Sequence, residues 1–227
     1  MIRSLFSAVV LSAMLCIASV SAHANSGELL SFQGLRDLQA VGNFYDGGGI
    51  ASTPNYGVTF SSNFFGLTSI ANGGAGNFAA TPVGTPAIFV NGTTGSPAMG
   101  TMNVTPGFST GINFYFTAGF QSAQQGTVQI WSGTNGTGTL LATISLSNNN
   151  SSCSTVSYCT WSSVGTTFAG VAHSVTFSGP ANELGLADIT LGSTTTAIPE
   201  PSSIYLLVLG LTAVSAFKMR RFFGVYS

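Results

Sequence analysis

Ile112-Asn113-Phe114-Tyr115-Phe116-Thr117 and Thr127-Val128-Gln129-Ile130-Trp131 are the two runs on which the fold turns. Successive side chains of a strand point to opposite faces, so Ile112, Phe114 and Phe116 share one side and Asn113 and Tyr115 the other. By the same rule Val128 and Ile130 oppose Thr127, Gln129 and Trp131. Further short runs of strand composition stand at 29–32, 56–60, 87–90, 101–104, 140–146, 164–168, 174–177 and 184–191. Gly, Pro, Asn, Ser and Thr interrupt the chain between them, and no long stretch places apolar residues at helical spacing. Many short strands with turn signals between them predict an all-β, jelly-roll-like β-sandwich as one domain over 25–196. The run 131–141 reads as a hairpin whose turn uses Asn135-Gly136.

Composition narrows the function classes. Five Lys or Arg and six Asp or Glu make 5% of the 227 residues charged, against about 25% in an ordinary domain. An apolar share of 44% excludes a disordered polyelectrolyte, and the 29 Gly and 8 Pro lack the triplet period of collagen. So few basic residues exclude a nucleic-acid partner, whose phosphates demand a Lys/Arg footprint. Hydroxyl-rich strand faces account for the missing charge, because Thr favours strands and is hydrated without Lys or Glu. The same faces leave edge strands without protective lysines.

Both ends read as addresses. Residues 1–24 have the three parts of a secretory signal peptide: Arg3, an apolar stretch over 5–20, and the small-residue site Ala22-His23-Ala24, which predicts cleavage before Asn25. Cys16 belongs to that leader. At the other end Pro199-Glu200-Pro201 precedes an apolar run over 204–217, and Lys218-Met219-Arg220-Arg221 follows it. Two prolines keep the triplet extended. The run would rise about 21 Å as a helix, short of the roughly 30 Å hydrocarbon core. Lys218, Arg220 and Arg221 would stop it on the cytoplasmic side, with the preceding domain outside.

This C-terminal order over 197–221, a Pro-Glu-Pro triplet, an apolar helix and a basic cluster, resembles the PEP-CTERM sorting signal of Gram-negative bacteria. The resemblance implies an exosortase-type processing enzyme as partner, transit through the inner membrane on a transient anchor, and delivery to the cell surface or extracellular matrix. It further implies a place in an exopolysaccharide matrix. Within the domain, Phe32-Gln33-Gly34-Leu35, the 131–141 hairpin and Leu184-Gly185-Leu186-Ala187-Asp188-Ile189-Thr190-Leu191 resemble the opening, middle and closing elements of galactose-binding-like jelly-roll modules. Such modules often bind a structural calcium through acids at both ends. Gln33 and Ala187 stand where two of those acids would be, which leaves Asp188 as the one calcium candidate and no other metal site.

Without leader and tail the chain keeps one basic residue, Arg36, and five acids, Glu28, Asp37, Asp46, Glu183 and Asp188, a net charge of −4. No lysine remains, which excludes a P-loop and a Schiff-base enzyme. Gly74-Ala75-Gly76-Asn77-Phe78-Ala79 fits a dinucleotide fingerprint, but Asn72-Gly73 before it and Thr81-Pro82 behind it make it a loop. His173 reads as a strand residue without an orienting partner for a Ser-His-Asp site. The acid pairs Asp37 with Asp46 and Glu183 with Asp188 could serve a glycosidase, but acids in turns are usually solvated or capping. Cys153 and Cys159 predict a disulfide in an oxidising compartment. Tyr45, Tyr56, Trp131, Tyr158 and Trp161 sit among polar residues, and Trp131, Trp161 and Tyr158 are the candidates for stacking on a sugar. The sequence therefore predicts a non-catalytic structural protein of the matrix, with a carbohydrate-binding module as the alternative and a secreted hydrolase behind both.

Overall fold

The computed structural model describes residues 27–82, 84–94, 96–120 and 124–195. The signal peptide, the Pro199-Glu200-Pro201 triplet, the 204–217 run and the basic cluster at 218–221 lie outside the described residues. Among those described, no helix is long and apolar enough to cross a membrane.

The strands are β1 (Glu28–Leu30), β2 (Val58–Phe60), β3 (Phe64–Leu67), β4 (Ala87–Val90), β5 (Pro97–Phe108), β6 (Gly111–Ala118), β7 (Gly126–Trp131), β8 (Leu140–Leu146), β9 (Ser162–Thr167), β10 (Ala172–Pro180) and β11 (Leu184–Leu191). They form two antiparallel sheets. One runs β3-β4-β11-β6-β9, with β1 also on β11, and the other runs β2-β5-β10-β7-β8. The expected β-sandwich is present. Its interior is filled from both inner faces by Ile88, Phe114 and Leu186 of the first sheet and Met102, Val128 and Phe177 of the second. A file of edge-on phenylalanines crosses between them: Phe60 meets Phe64, and Phe64 and Phe114 both meet Phe177, at 5.3–5.9 Å between centroids. Gly100 lies opposite Phe177, where a Cβ would collide with the Phe64 ring.

The two opening runs behave differently. On β7 Val128 and Ile130 are buried while Thr127, Gln129 and Trp131 are half-buried, as the alternation predicts. On β6 both faces are covered, and Asn113, expected outward, is buried. Its Nδ2 donates to Ser163 Oγ and to the carbonyl of Thr194, so the end of the domain lies over that face.

Three expectations change. The run at 29–32 stops as a strand at Leu30, because Phe32 turns left-handed (φ 57°) and its N–H donates to the Tyr45 hydroxyl at 2.6 Å. Tyr45, grouped by sequence with the polar-loop aromatics, is therefore core. Finally, part of the hydroxyl-rich surface is not hydrated. Asn135 (φ 56°) and Gly136 (φ 69°) make the expected turn, and the hairpin folds back over the second sheet. There Gly136 N–H donates to Ser174 Oγ at 2.9 Å, Trp131 Nε1 to Thr176 Oγ1 at 3.2 Å, and Asn103 and Asn135 exchange bonds of 2.8 and 2.7 Å.

Candidate functional site

The side chains that face away from the core on the first sheet form a row. Strand pairing sets Phe65 beside Phe89, Phe89 beside Gly185 and Gly185 beside Thr117. Because Gly185 has no side chain, the row has a gap at its centre. The Trp161 ring fills part of it, 3.4 Å from where a Gly185 Cβ would stand.

Two loops roof the gap. The segment 77–79 and the segment 157–158 run side by side, with Ala79 N–H donating to the Tyr158 carbonyl at 2.8 Å and Tyr158 N–H to the Asn77 carbonyl at 3.2 Å. The Asn77 amide donates to Ser157 Oγ at 2.7 Å and its Oδ1 accepts from Ser157 N–H at 3.2 Å. Trp161 Nε1 donates to the Ala79 carbonyl at 3.2 Å, and the Trp161 ring stands edge-on to Phe78 at 5.6 Å. The result is a pocket of about 280 Å³ whose walls include Phe78, Phe89, Tyr158 and Trp161, with Asn77, Thr117 and Glu183 as polar members. That volume is at the lower end of the roughly 300–1,000 Å³ of small-molecule sites.

Each roof loop is tied down. Asp37 accepts from Thr68 N–H at 2.7 Å and from Ala75 N–H at 3.0 Å, which fixes the Gly-rich loop and shows this acid capping. The other loop holds the disulfide between Cys153 and Cys159, as the sequence predicts. Asn149 and Asn150 moor it to β6: Asn149 Oδ1 accepts from Ala118 N–H at 2.8 Å, and Asn150 Nδ2 donates to Thr117 Oγ1 at 2.8 Å. Asn150 Oδ1 also accepts from Thr160 N–H at 2.8 Å.

The electrostatics of the pocket are one-signed. Glu183 is the single acid in its lining, and no basic side chain lines it. Glu183 Oε2 is shut off from solvent without a hydrogen-bond partner. The Tyr158 hydroxyl donates to the Asn182 carbonyl at 3.4 Å, and its phenol is pushed above the ordinary range first by burial and then by the Glu183 charge. A glycosidase pair is missing here, since two carboxylates are needed and one is present.

Of the three sugar-stacking candidates, Tyr158 and Trp161 share this pocket, whereas Trp131 sits on the second sheet beneath its own hairpin. Sequence reasoning misses Phe78 and Phe89 as partners of Tyr158 and Trp161. It also misses Gly107-Phe108-Ser109-Thr110-Gly111, which has the spacing of a nucleophile elbow. The run is the turn between β5 and β6, so a strand and not a helix follows it. His173 is a strand residue, as expected, and its Nδ1 lies 3.3 Å from the Val104 carbonyl.

Asp188 occupies a bulge where β11 slips by one residue against β6, with φ 51° and its side chain fully buried. Oδ1 accepts from Thr85 Oγ1 at 3.2 Å and Oδ2 has no partner. Calcium takes about six to eight oxygens. Gln33 is exposed, Ala187 offers no side-chain donor, and no group of three His, Cys, Asp or Glu exists among the described residues.

No protein-family model matches the chain, and no curated protein does. Among solved structures it is similar to the K2 cleaved adhesin domain of Lys-gingipain (14% identity, 66% of this chain and 95% of that one, TM-score 0.41). The K1 cleaved adhesin domain of Lys-gingipain from Porphyromonas gingivalis follows at 11% identity, 74% and 98% coverage and TM-score 0.39. A carbohydrate-binding module from Cellvibrio mixtus lichenase 5A in complex with cellotriose follows at 15% identity, 51% and 84% coverage and TM-score 0.31. These likenesses decide neither ligand nor site, and the sandwich rests on the strand pairing above.

Proposed function

We propose that this chain is an exported, non-catalytic protein of the bacterial surface or extracellular matrix, sorted by a PEP-CTERM signal, and that its jelly-roll-like sandwich binds carbohydrate in the roofed pocket. The observation that carries the binding reading is the convergence of Tyr158 and Trp161 with Phe78 and Phe89 over the open centre of one sheet face. Aromatic faces cover the apolar side of a sugar ring, and amides and hydroxyls at the margin bond its hydroxyls. The disulfide belongs with an oxidising compartment. The matrix role follows from the resemblance of 197–221 to the sorting signal.

Affinity electrophoresis of the purified full-length chain through gels containing matrix polysaccharides tests the site. Retardation should vanish in Trp161→Ala and persist in Trp131→Ala. Equal retardation of Trp161→Ala and the parent would move binding elsewhere. For sorting, Glu200→Ala should leave the unprocessed chain in the inner membrane, read by intact mass and fractionation. A processed and released variant would remove the role of the triplet.

A further inference from the structure

We propose that the roofed pocket selects a sugar ring carrying a protonated primary amine, a hexosamine that is not N-acetylated, over neutral and acidic sugars. The proposal rests on the carbohydrate reading and adds the charge of the ligand to it. Three observations combine. The rings of Phe78, Phe89, Tyr158 and Trp161 line a pocket of about 280 Å³, which is sized for a single ring. Aromatic faces attract cations through their quadrupole, most strongly where water is excluded.

Glu183 then supplies the one carboxylate of the lining, and no basic side chain there neutralises it. An ammonium in the pocket would be drawn to that carboxylate, and charge-assisted contacts are roughly twice as strong as those a neutral hydroxyl makes. A uronate would instead set a second carboxylate beside the first, with no cation between them. The field of the domain acts in the same direction, since Arg36 is the one Lys or Arg against five acids over 27–195. Acetylation removes the charge and adds bulk to a pocket roofed by two hydrogen-bonded loops.

Calorimetric titration of the purified full-length chain with the methyl glycosides of glucosamine, glucose, N-acetylglucosamine and glucuronate, and with cyclohexylamine, tests this. Glucosamine should bind about tenfold tighter than glucose, with glucuronate weakest. The preference should disappear in Glu183→Gln. It should also disappear in the parent at about pH 9, above the roughly 7.7–8.0 at which an amine near electron-withdrawing groups titrates. Equal affinity for glucosamine and glucose would overturn the selectivity and leave carbohydrate binding standing. Binding of cyclohexylamine without any glycoside would keep the cation site and remove the carbohydrate reading. Silence from every probe overturns both.

Discussion

Asp188→Asn should stabilise this protein at neutral pH, and the gain should fade as the pH falls. Asp188 is held in the bulge of β11 with no solvent exposure, one hydrogen bond from Thr85 and one oxygen without a partner. Burial penalises its charged form and pushes its pKa from 3.8 up to about 6, against the smaller opposing effect of the Thr85 bond. The sign follows from proton linkage. A carboxyl that binds its proton more tightly folded than unfolded costs nothing below the unfolded value, and costs progressively more from about pH 4 to pH 6. Above that the penalty is constant. At 1.36 kcal/mol per pH unit the full penalty is at most about 3 kcal/mol. An amide has the same shape, tolerates the positive φ, and carries no charge to desolvate. Urea unfolding of both proteins at intervals from pH 4 to pH 8 measures the difference, in which the other acids cancel. The variant should gain about 2–3 kcal/mol above pH 7 and about none near pH 4, less any cost of an unpaired amide hydrogen. A difference that stays flat with pH, or one that grows toward pH 4, would refute the assigned state of Asp188.

Two further outcomes test the packing and the roof. Phe177→Ala removes the ring that Phe64 and Phe114 both meet edge-on and should cost about 3–5 kcal/mol in the same unfolding assay. Replacing Cys153 and Cys159 by Ser opens a short loop and should cost about 2 kcal/mol by chain entropy. Because Tyr158 lies inside that loop, retardation in polysaccharide gels should fall at temperatures where the sandwich is still fully folded by circular dichroism.

The sandwich was legible where period-two alternation held, as on β7, and the ranges of β4, β8 and β11 follow from composition alone. β3 escapes because Phe64-Phe65-Gly66-Leu67 has a glycine inside it and three large apolar residues that do not alternate with polar ones. Its strand state comes from pairing with β4, which a local reading does not see. Tyr45 misleads for the opposite reason. Asn43, Asp46 and Gly47 around it are turn residues, yet its ring reaches the Phe32 backbone and is enclosed there. The pocket was half legible. Tyr158 and Trp161 announce themselves by their polar surroundings, but Phe78 and Phe89 resemble core residues, and it takes the pairing of 77–79 with 157–158 and of β4 with β11 to bring the two sets together.

The scarcity of charge has a structural counterpart in how this sandwich satisfies its polar groups. Loops that other domains anchor with ion pairs are anchored here by neutral amides. Asn149 and Asn150 bind the disulfide loop to β6, Asn77 joins the two roof loops, and Asn103 with Asn135 fastens the hairpin to the second sheet. Such bonds join neutral groups, on which salt acts little, whereas exposed ion pairs weaken as salt rises. Loops held this way depend little on ionic strength. The arrangement also leaves one charge in the pocket wall without a structural partner. Asp37 caps a loop and Asp188 is buried, but Glu183 has neither task and stands in the pocket wall. In a domain with so little charge, Glu183 is an unneutralised carboxylate in a pocket lined by four aromatic rings, and the proposed preference for a cationic ligand follows from that combination.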